Sequence, residues 1–198
     1  RLGRVVNTIE QVEKAATDAL DRRRHAPTLG ALTAPPNQVE GNGVSVFSPT
    51  VGYVQHIDLG SLQSSAEALN CRVMVTALPG TFVHTHLPLL RIEGCAEDRI
   101  EACKEFEPDD FSSAFTVSSN RTFEDDPRFG LLALSEIADK ALSPGINDPG
   151  TAINVIGTLL RLFTLWQSPL EREEVQAITY DRVSGPELMV DDLFDDAF

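Results

Sequence analysis

Hydrophobic residues near the start of the chain recur at the three- and four-residue spacing of a helix. Val5, Ile9 and Ala16 fall on one face of this pattern, which predicts an amphipathic helix over about residues 3–23. The residues that follow, 25–43, are rich in glycine and proline. Such a composition is typical of an extended connector between folded elements.

A second pattern begins at residue 44, where short β-branched and aromatic runs alternate with turn residues. Between the second and third of these runs, Leu62, Ala66 and Leu69 have helical spacing, and Asp58 or Ser61 is placed to cap a short helix there. The predicted strands lie in the runs VSVFSP, VGYVQHI, CRVMVTAL and LPLLRI.

The remaining residues are mostly helical in pattern, and one helix is apolar nearly all round. A helix of that kind, here residues 149–166, is typical of a buried central position. The other predictions in this part are helices at 96–106, at 127–142 and near 170–178, and strands at AFTVS and ELMV.

These elements predict an α+β fold in which a small β-module precedes a helical subdomain. The chain starts abruptly inside the first helical pattern and stops within an amphipathic one, so the sequence is interpreted as a piece of a longer protein. The predicted segments are a linking helix at 1–24, a connector at 25–43, the β-module at 44–95 and the helical subdomain at 96–198.

The segment SPGIND, together with Pro149, joins two helical patterns and raises the question of its role. Pro144 ends the first helix, and Asp148 before Pro149 is a typical N-cap followed by proline at the first helical position. Ending one helix and capping the next therefore explains most of these residues. The alternative is a site for a cation or a polar ligand at the helix start, formed by Ser143, Asn147, Asp148 and Thr151.

A second polar group lies upstream, at residues 121–126. Arg121, Asp125 and Asp126 are candidates for binding a ligand. The carboxylates of Glu124, Asp125 and Asp126 could instead hold a hard divalent cation, for which carboxylate oxygens are suitable ligands, or pair with Arg121 and Arg128. The alternative is that Asp126 caps the helix that begins at Pro127.

The stretch RTFEDDPRFGLLALSEIADKALSPGINDPGTA, at residues 121–152, resembles a bacterial family of multi-pass membrane proteins catalogued as domain of unknown function 2254. GYVQHIDLGSL and LPGTFVHTHLPLLRI extend the resemblance over nearly the whole chain. The resemblance implies that the chain is the soluble portion of a membrane protein, with transmembrane helices before residue 1. It carries over no catalytic residue.

The runs SPTVGYVQHI and PGTFVHTHLPLLRI also resemble the two halves of a barrel-sandwich hybrid, the fold of lipoyl and biotinyl carriers. Those carriers attach their cofactor to a lysine, but this chain has no lysine between Lys14 and Lys104. Glycine motifs for nucleotides are also absent. The sequence therefore predicts no biotin, lipoate or flavin cofactor.

Three histidines form a second set of candidates for a metal site. His84 and His86 are two residues apart in a predicted strand and would face the same side, where His56 could join them. Imidazole suits zinc, nickel or copper. The alternative is that all three are exposed strand residues.

Charge and cysteine content narrow the possible partners. The 198 residues carry a net charge of −14, from 30 acidic and 16 basic residues, which disfavours nucleic acid as a partner. The basic run at 22–24 is interpreted as a solvated helix end.

The cysteine content bears on the compartment. Three widely spaced cysteines do not form a disulfide framework and favour a reducing compartment, such as the cytoplasmic side of the membrane.

The leading functional hypothesis is an assembly or regulatory domain that self-associates and is attached to a channel- or transporter-like body in a bacterial membrane. Open strand edges favour the self-association. The alternative is a ligand- or cation-binding enzyme with its site between residues 121–126 and 143–151.

Overall fold

The computed structural model describes residues 2–34, 43–94 and 109–198. The chain forms two compact units. The helical unit consists of residues 1–25, 122–175 and 188–198, and the α/β unit consists of residues 26–121 and 176–187. Each unit has its own hydrophobic core.

The elements are numbered in chain order. The helices are α1 (Leu2–His25), α2 (Leu59–Leu69), α3 (Asp109–Ser112), α4 (Phe129–Leu142), α5 (Pro149–Gln167) and α6 (Val190–Ala197), with a 3-10 turn at Arg172–Glu174. The strands are β1 (Ala31–Thr33), β2 (Val44–Phe47), β3 (Gly52–Ile57), β4 (Arg72–Val75), β5 (Phe82–Val83), β6 (Pro88–Glu93), β7 (Phe115–Ser118) and β8 (Tyr180–Gly185).

The α/β unit contains a five-stranded mixed sheet in the order β1-β8-β4-β6-β2 and a three-stranded antiparallel sheet in the order β5-β3-β7. Strand β8 lies parallel to both β1 and β4. The core draws apolar side chains from both sheets and from α2, including Val54, Leu62, Val73, Leu90 and Val183.

Helix α2 begins and ends where its sequence predicts. The carboxylate of Asp58 accepts a hydrogen bond from the amide of Ser61 at 2.9 Å, which caps the helix. At the other end Asn70 adopts a left-handed backbone with φ of 49°, a conformation that asparagine tolerates better than most residues. The chain then turns directly into β4.

The helical unit packs α1, α4, α5 and α6 around one core. Ile9 and Leu20 of α1, Leu134 of α4, Leu159 of α5 and Leu193 of α6 are all buried in it. Helices α1 and α4 approach closely at Gly130, where an added Cβ would lie 2.4 Å from the Cβ of Ala16. Only glycine fits at this crossing.

The α+β class and the strands predicted in residues 44–93 are confirmed, but the barrel-sandwich arrangement is not. The prediction of a strand at ELMV is wrong, because α6 begins at Val190 and Asp192 accepts from the amide of Met189 at its start. The helix predicted near 170–178 is reduced to the single 3-10 turn. The helix predicted at 96–106 lies outside the described residues.

Candidate functional site

The corner at residues 143–149 is closed by its own backbone. The carbonyl of Ser143 accepts hydrogen bonds from the amides of Ile146 and Asn147, at 3.0 and 2.9 Å. The amide of Asp148 donates to the carbonyl of Ala141 at 2.8 Å, which ties the corner to the last turn of α4. Asn147 adopts a left-handed φ of 48°, so it allows the reversal that places Asp148 at the start of α5.

Asp148 caps α5, as the sequence predicts. Its carboxylate accepts from the amide of Thr151 at 3.2 Å and from the hydroxyl of Thr151 at 2.8 Å. These two hydrogen bonds, the hydroxyl first, lower the pKa of Asp148 below its ordinary value. Both carboxylate oxygens are therefore engaged at the helix start, in a corner where Gly145, Asn147 and Pro149 are exposed.

Asp126 has the same role at the start of α4. The residue is 1% exposed, and its Oδ1 accepts from the amides of Arg128 and Phe129, at 3.1 and 3.2 Å. The predicted capping by Asp126 is confirmed, although the helix begins at Phe129 rather than at Pro127.

The segment just before Asp126 is held by arginines at the end of α1. Arg22 donates to the carbonyl of Glu124, and Arg23 donates to the carbonyl of Asp125 at 3.2 Å. Arg23 is 3% exposed; burial lowers its pKa, and the nearby carboxylates of Asp125 and Asp126 oppose this shift.

Arg24, the third arginine of the run, reaches the end of α5. It is buried, donates to the carbonyl of Ser168 at 2.8 Å and pairs with Asp21 at 3.0 Å. The interpretation of this run as a solvated helix end is therefore wrong for Arg23 and Arg24, which are buried, whereas Arg22 is exposed. The arginines satisfy carbonyl groups that lie more than a hundred residues away in sequence, and sequence periodicity contains no signal for such partners.

Arg121 belongs to the α/β unit. Its guanidinium carbon lies 5.9 Å from the centre of the Tyr53 ring, the geometry of a cation–π contact. Tyr53 packs edge-on against Phe82, its cross-strand partner in β5, with ring centres 4.9 Å apart. The cation–π contact of Arg121 thus lies on the three-stranded sheet.

The predicted site residues do not converge on one place in the helical unit. Asp126 lies at the N-terminal end of α4, and Ser143 directly follows its C-terminal end. A helix of 14 residues is about 21 Å long. The structure therefore separates the two polar groups by the length of α4, and Arg121 lies in the other unit.

The histidines are arranged differently from the prediction. His84 and His86 lie in the turn between β5 and β6 rather than within a strand, and the amide of His86 donates to Nδ1 of His84 at 3.2 Å. His56 is an exposed residue of β3. Among residues 2–34, 43–94 and 109–198, no three side chains of His, Cys, Asp or Glu are grouped so that they could hold a metal ion.

Helix α5 exposes a surface that sequence analysis missed. Ile153, Ile156 and Leu160, which we call the α5 stripe, are 69%, 54% and 66% exposed. The prediction that this helix is central and buried is wrong, because only one face of it packs into the core, through residues such as Val155 and Leu162. Apolar residues all round a helix are also compatible with one face that is covered only by a partner, and the sequence does not distinguish the two cases.

Within the part of the chain that the structure describes, no helix combines the length and the apolar character needed to cross a bilayer. The fold is that of an α+β protein with two hydrophobic cores. An α+β fold is shared by proteins of many functions and does not by itself define a function.

A family model described as "Predicted membrane protein (DUF2254)" matches residues 1–198. The chain therefore belongs to this family of predicted membrane proteins, and the resemblance seen in the sequence is confirmed. The chain is 31% identical over 148 residues to uncharacterized proteins of Mycobacterium bovis and of two Mycobacterium tuberculosis strains. The match covers 71% of this chain and 25% of each relative, so it spans about a quarter of their length. No solved structure matches the chain.

Proposed function

We propose that this chain is an assembly or regulatory domain, lying outside the bilayer, of a bacterial membrane protein with a channel- or transporter-like body, and that it self-associates. The observation that carries the proposal is the α5 stripe. Three large apolar side chains are each more than half exposed in a chain with a net charge of −14. An exposed apolar face on a helix is typical of a site of protein–protein or membrane interaction, and we take the first of these for this chain.

The positions of the predicted site residues, at 121–126 and 143–151, also favour assembly over catalysis. An enzyme site brings its titratable groups together in a cleft. Asp126 and Asp148 instead each accept hydrogen bonds at the start of their own helix, at opposite ends of α4. This arrangement disfavours the alternative of a ligand- or cation-binding enzyme with a site between residues 121–126 and 143–151.

Family membership and charge support the location outside the bilayer. The family is described as predicted membrane proteins, and the curated relatives are about four times longer than the segment they share with this chain. Charged residues make up 23% of the chain, a content suited to water rather than to hydrocarbon. We therefore assign the membrane-spanning part of the parent protein to segments outside this chain.

The experiment is capture of the full-length membrane protein by the isolated chain. The tagged 198-residue chain is mixed with detergent-solubilised parent protein and recovered, beside a tagged acidic protein of similar size as control. We expect the chain to retain the parent and the control to lose it. Recovery of no parent protein, together with a parent that is monomeric in detergent, would contradict the proposal.

A further inference from the structure

Two loops of the α/β unit lie beside each other. Residues 48–51 join β2 to β3, and residues 84–87 join β5 to β6, so both loops cross between the two sheets. Their ends are paired, because Phe47 is the register partner of Pro88 in one sheet and the start of β3 pairs with β5 in the other. The loops therefore span the same gap, and we call them the paired loops.

The paired loops and the strand ends beside them expose apolar side chains. Val51 is 59% exposed and Leu87 is 37% exposed, and at the adjoining strand ends Phe47 and Phe82 are 42% and 50% exposed. Exposed apolar side chains that cluster in this way are typical of a contact with a protein or a membrane. This surface is distinct from the α5 stripe, which belongs to the helical unit.

Polar groups of the paired loops are hydrogen-bonded within the loops. Ser48 Oγ donates to the carbonyl of Thr50 at 2.6 Å and accepts from the amide of Thr50 at 3.2 Å. In the other loop, Nδ1 of His84 accepts from the amide of His86 at 3.2 Å, and the carbonyl of His84 accepts from the amide of Leu87 at 3.0 Å. Groups bonded in this way lose less free energy on leaving bulk water than unbonded groups do.

Charged residues are absent from the paired loops and from the adjoining parts of the strands. Residues 43–57 and 73–90 contain no Asp, Glu, Lys or Arg, although these residues make up 23% of the chain. A positive charge lies near the same end, because β7 ends beside the start of β3 and leads to Arg121, whose guanidinium lies over Tyr53. An arginine beside apolar side chains suits a phospholipid surface, where it can reach phosphate while the apolar groups enter the interface.

We propose that the paired loops contact the surface of a phospholipid bilayer, with Val51 and Leu87 entering the headgroup region and Arg121 reaching lipid phosphate. The chain belongs to a family of predicted membrane proteins, so a bilayer lies close to the parent protein. The net charge of −14 opposes this contact little, because none of the acidic residues lies in these loops and charges farther away than about 8 Å are screened at physiological salt. This inference rests on the proposed location beside a bilayer and does not depend on assembly through the α5 stripe.

A second copy or another protein fits this surface less well. A stable protein interface uses roughly 20–30 residues a side, whereas the paired loops are residues 48–51 and 84–87 alone. Shallow insertion of a few apolar side chains gives weak binding to a membrane. A parent protein anchored in the same bilayer keeps the loops within reach of lipid and strengthens such a contact.

The test is sedimentation of the 198-residue chain with phosphatidylcholine vesicles over a range of lipid concentrations, with Val51→Asp as the disrupting variant. An aspartate must lose water on entering the headgroup region, so we expect the binding constant to fall by about tenfold or more. Leu87→Asp should act in the same direction. Ile178→Asp is the matched control, because Ile178 is 60% exposed and lies in the same unit but outside the paired loops; it should bind as the wild type does.

Tryptophan quenching locates the contact without a loss of binding. Val51→Trp and Ile178→Trp each add one tryptophan to Trp166, which is common to both variants. We expect vesicles of brominated phosphatidylcholine to quench the emission of Val51→Trp more than that of Ile178→Trp. Circular dichroism checks that each variant is folded, and if Val51→Asp does not fold, Leu87→Asp and the quenching decide.

A wild-type chain that does not sediment with vesicles at any lipid concentration would overturn the proposal. Equal binding by the wild type, Val51→Asp and Leu87→Asp, or an equal loss in Ile178→Asp, would place the contact elsewhere and overturn it as well. A chain that ignores vesicles but forms a dimer that Val51→Asp dissociates would overturn it in favour of a second copy. Each of these results leaves assembly through the α5 stripe to be decided by the mass of the parent protein.

Discussion

Two aspartates, Asp126 and Asp148, satisfy backbone amides at the starts of successive helices. They differ in their surroundings, because Asp126 is 1% exposed whereas Asp148 lies in a corner whose neighbours are exposed. Removal of a buried acceptor leaves its amide donors without water to replace it, while solvent can reach an exposed helix start. Loss of the carboxylate should therefore be more costly at Asp126 than at Asp148.

Asp126→Ala should lower the free energy of unfolding by about 1–3 kcal/mol, from the lost cap and the two orphaned amides. Asp126→Asn should cost less, because the amide oxygen of asparagine can still accept. The measurement is urea unfolding at neutral pH. Asp148→Ala is the comparison at a partly exposed helix start, and it should be less destabilised than Asp126→Ala. Equal stability of Asp126→Ala and the wild type would contradict the role assigned to the buried carboxylate.

At the scale of elements, helix α5 has two different apolar faces. Leu162 is 1% exposed in the core of the helical unit, whereas Leu160, two residues earlier, is 66% exposed. The two leucines therefore offer a comparison in which the chemistry is the same and only the burial differs.

Leu162→Ala should lower the free energy of unfolding by about 2–5 kcal/mol, because it leaves a cavity in a packed core. Leu160→Ala should change it by no more than about 0.5 kcal/mol. Both are measured by urea unfolding at low micromolar protein, where pairing of copies contributes little. Equal and large losses in the two variants would mean that the α5 stripe is buried within the chain.

Elements whose signals are local could be predicted from the sequence. Asp58 and Asp148 mark helix starts through residues within three positions, and the strands around Val73 and Leu90 follow from short apolar runs. Strand β8 could not be placed in this way, because its partners β1 and β4 lie more than a hundred residues away in the chain.

The candidate site could be predicted in its residues but not in its arrangement. The capping roles of Asp126 and Asp148 depend on residues that are close in the sequence, so the local sequence predicts them. Whether Asp126 and Ser143 meet depends on the length and direction of α4, which only the folded chain provides. The contacts of Arg23 and Arg24 depend in the same way on distant carbonyls.

At the scale of the whole molecule, this chain has two hydrophobic cores, a net charge of −14 and, among its described residues, an exposed apolar face on α5. It spans about a quarter of the length of its curated relatives, so its role belongs to a larger protein. Asp126 and the polar residues of the corner stabilise the starts of α4 and α5, and the assembly that we propose uses the α5 stripe. Substitutions in the corner should therefore lower stability and leave the assembly of the parent protein unchanged, whereas substitutions in the α5 stripe should reduce that assembly.

The most direct test is the mass of the full-length membrane protein in detergent, measured by light scattering corrected for bound detergent. We expect the wild type and Ile178→Asp, a control at an exposed residue of the α/β unit, to share one oligomeric mass, and Leu160→Asp to give a smaller one. A single mass for all three proteins would contradict the claim that this chain assembles its parent through α5.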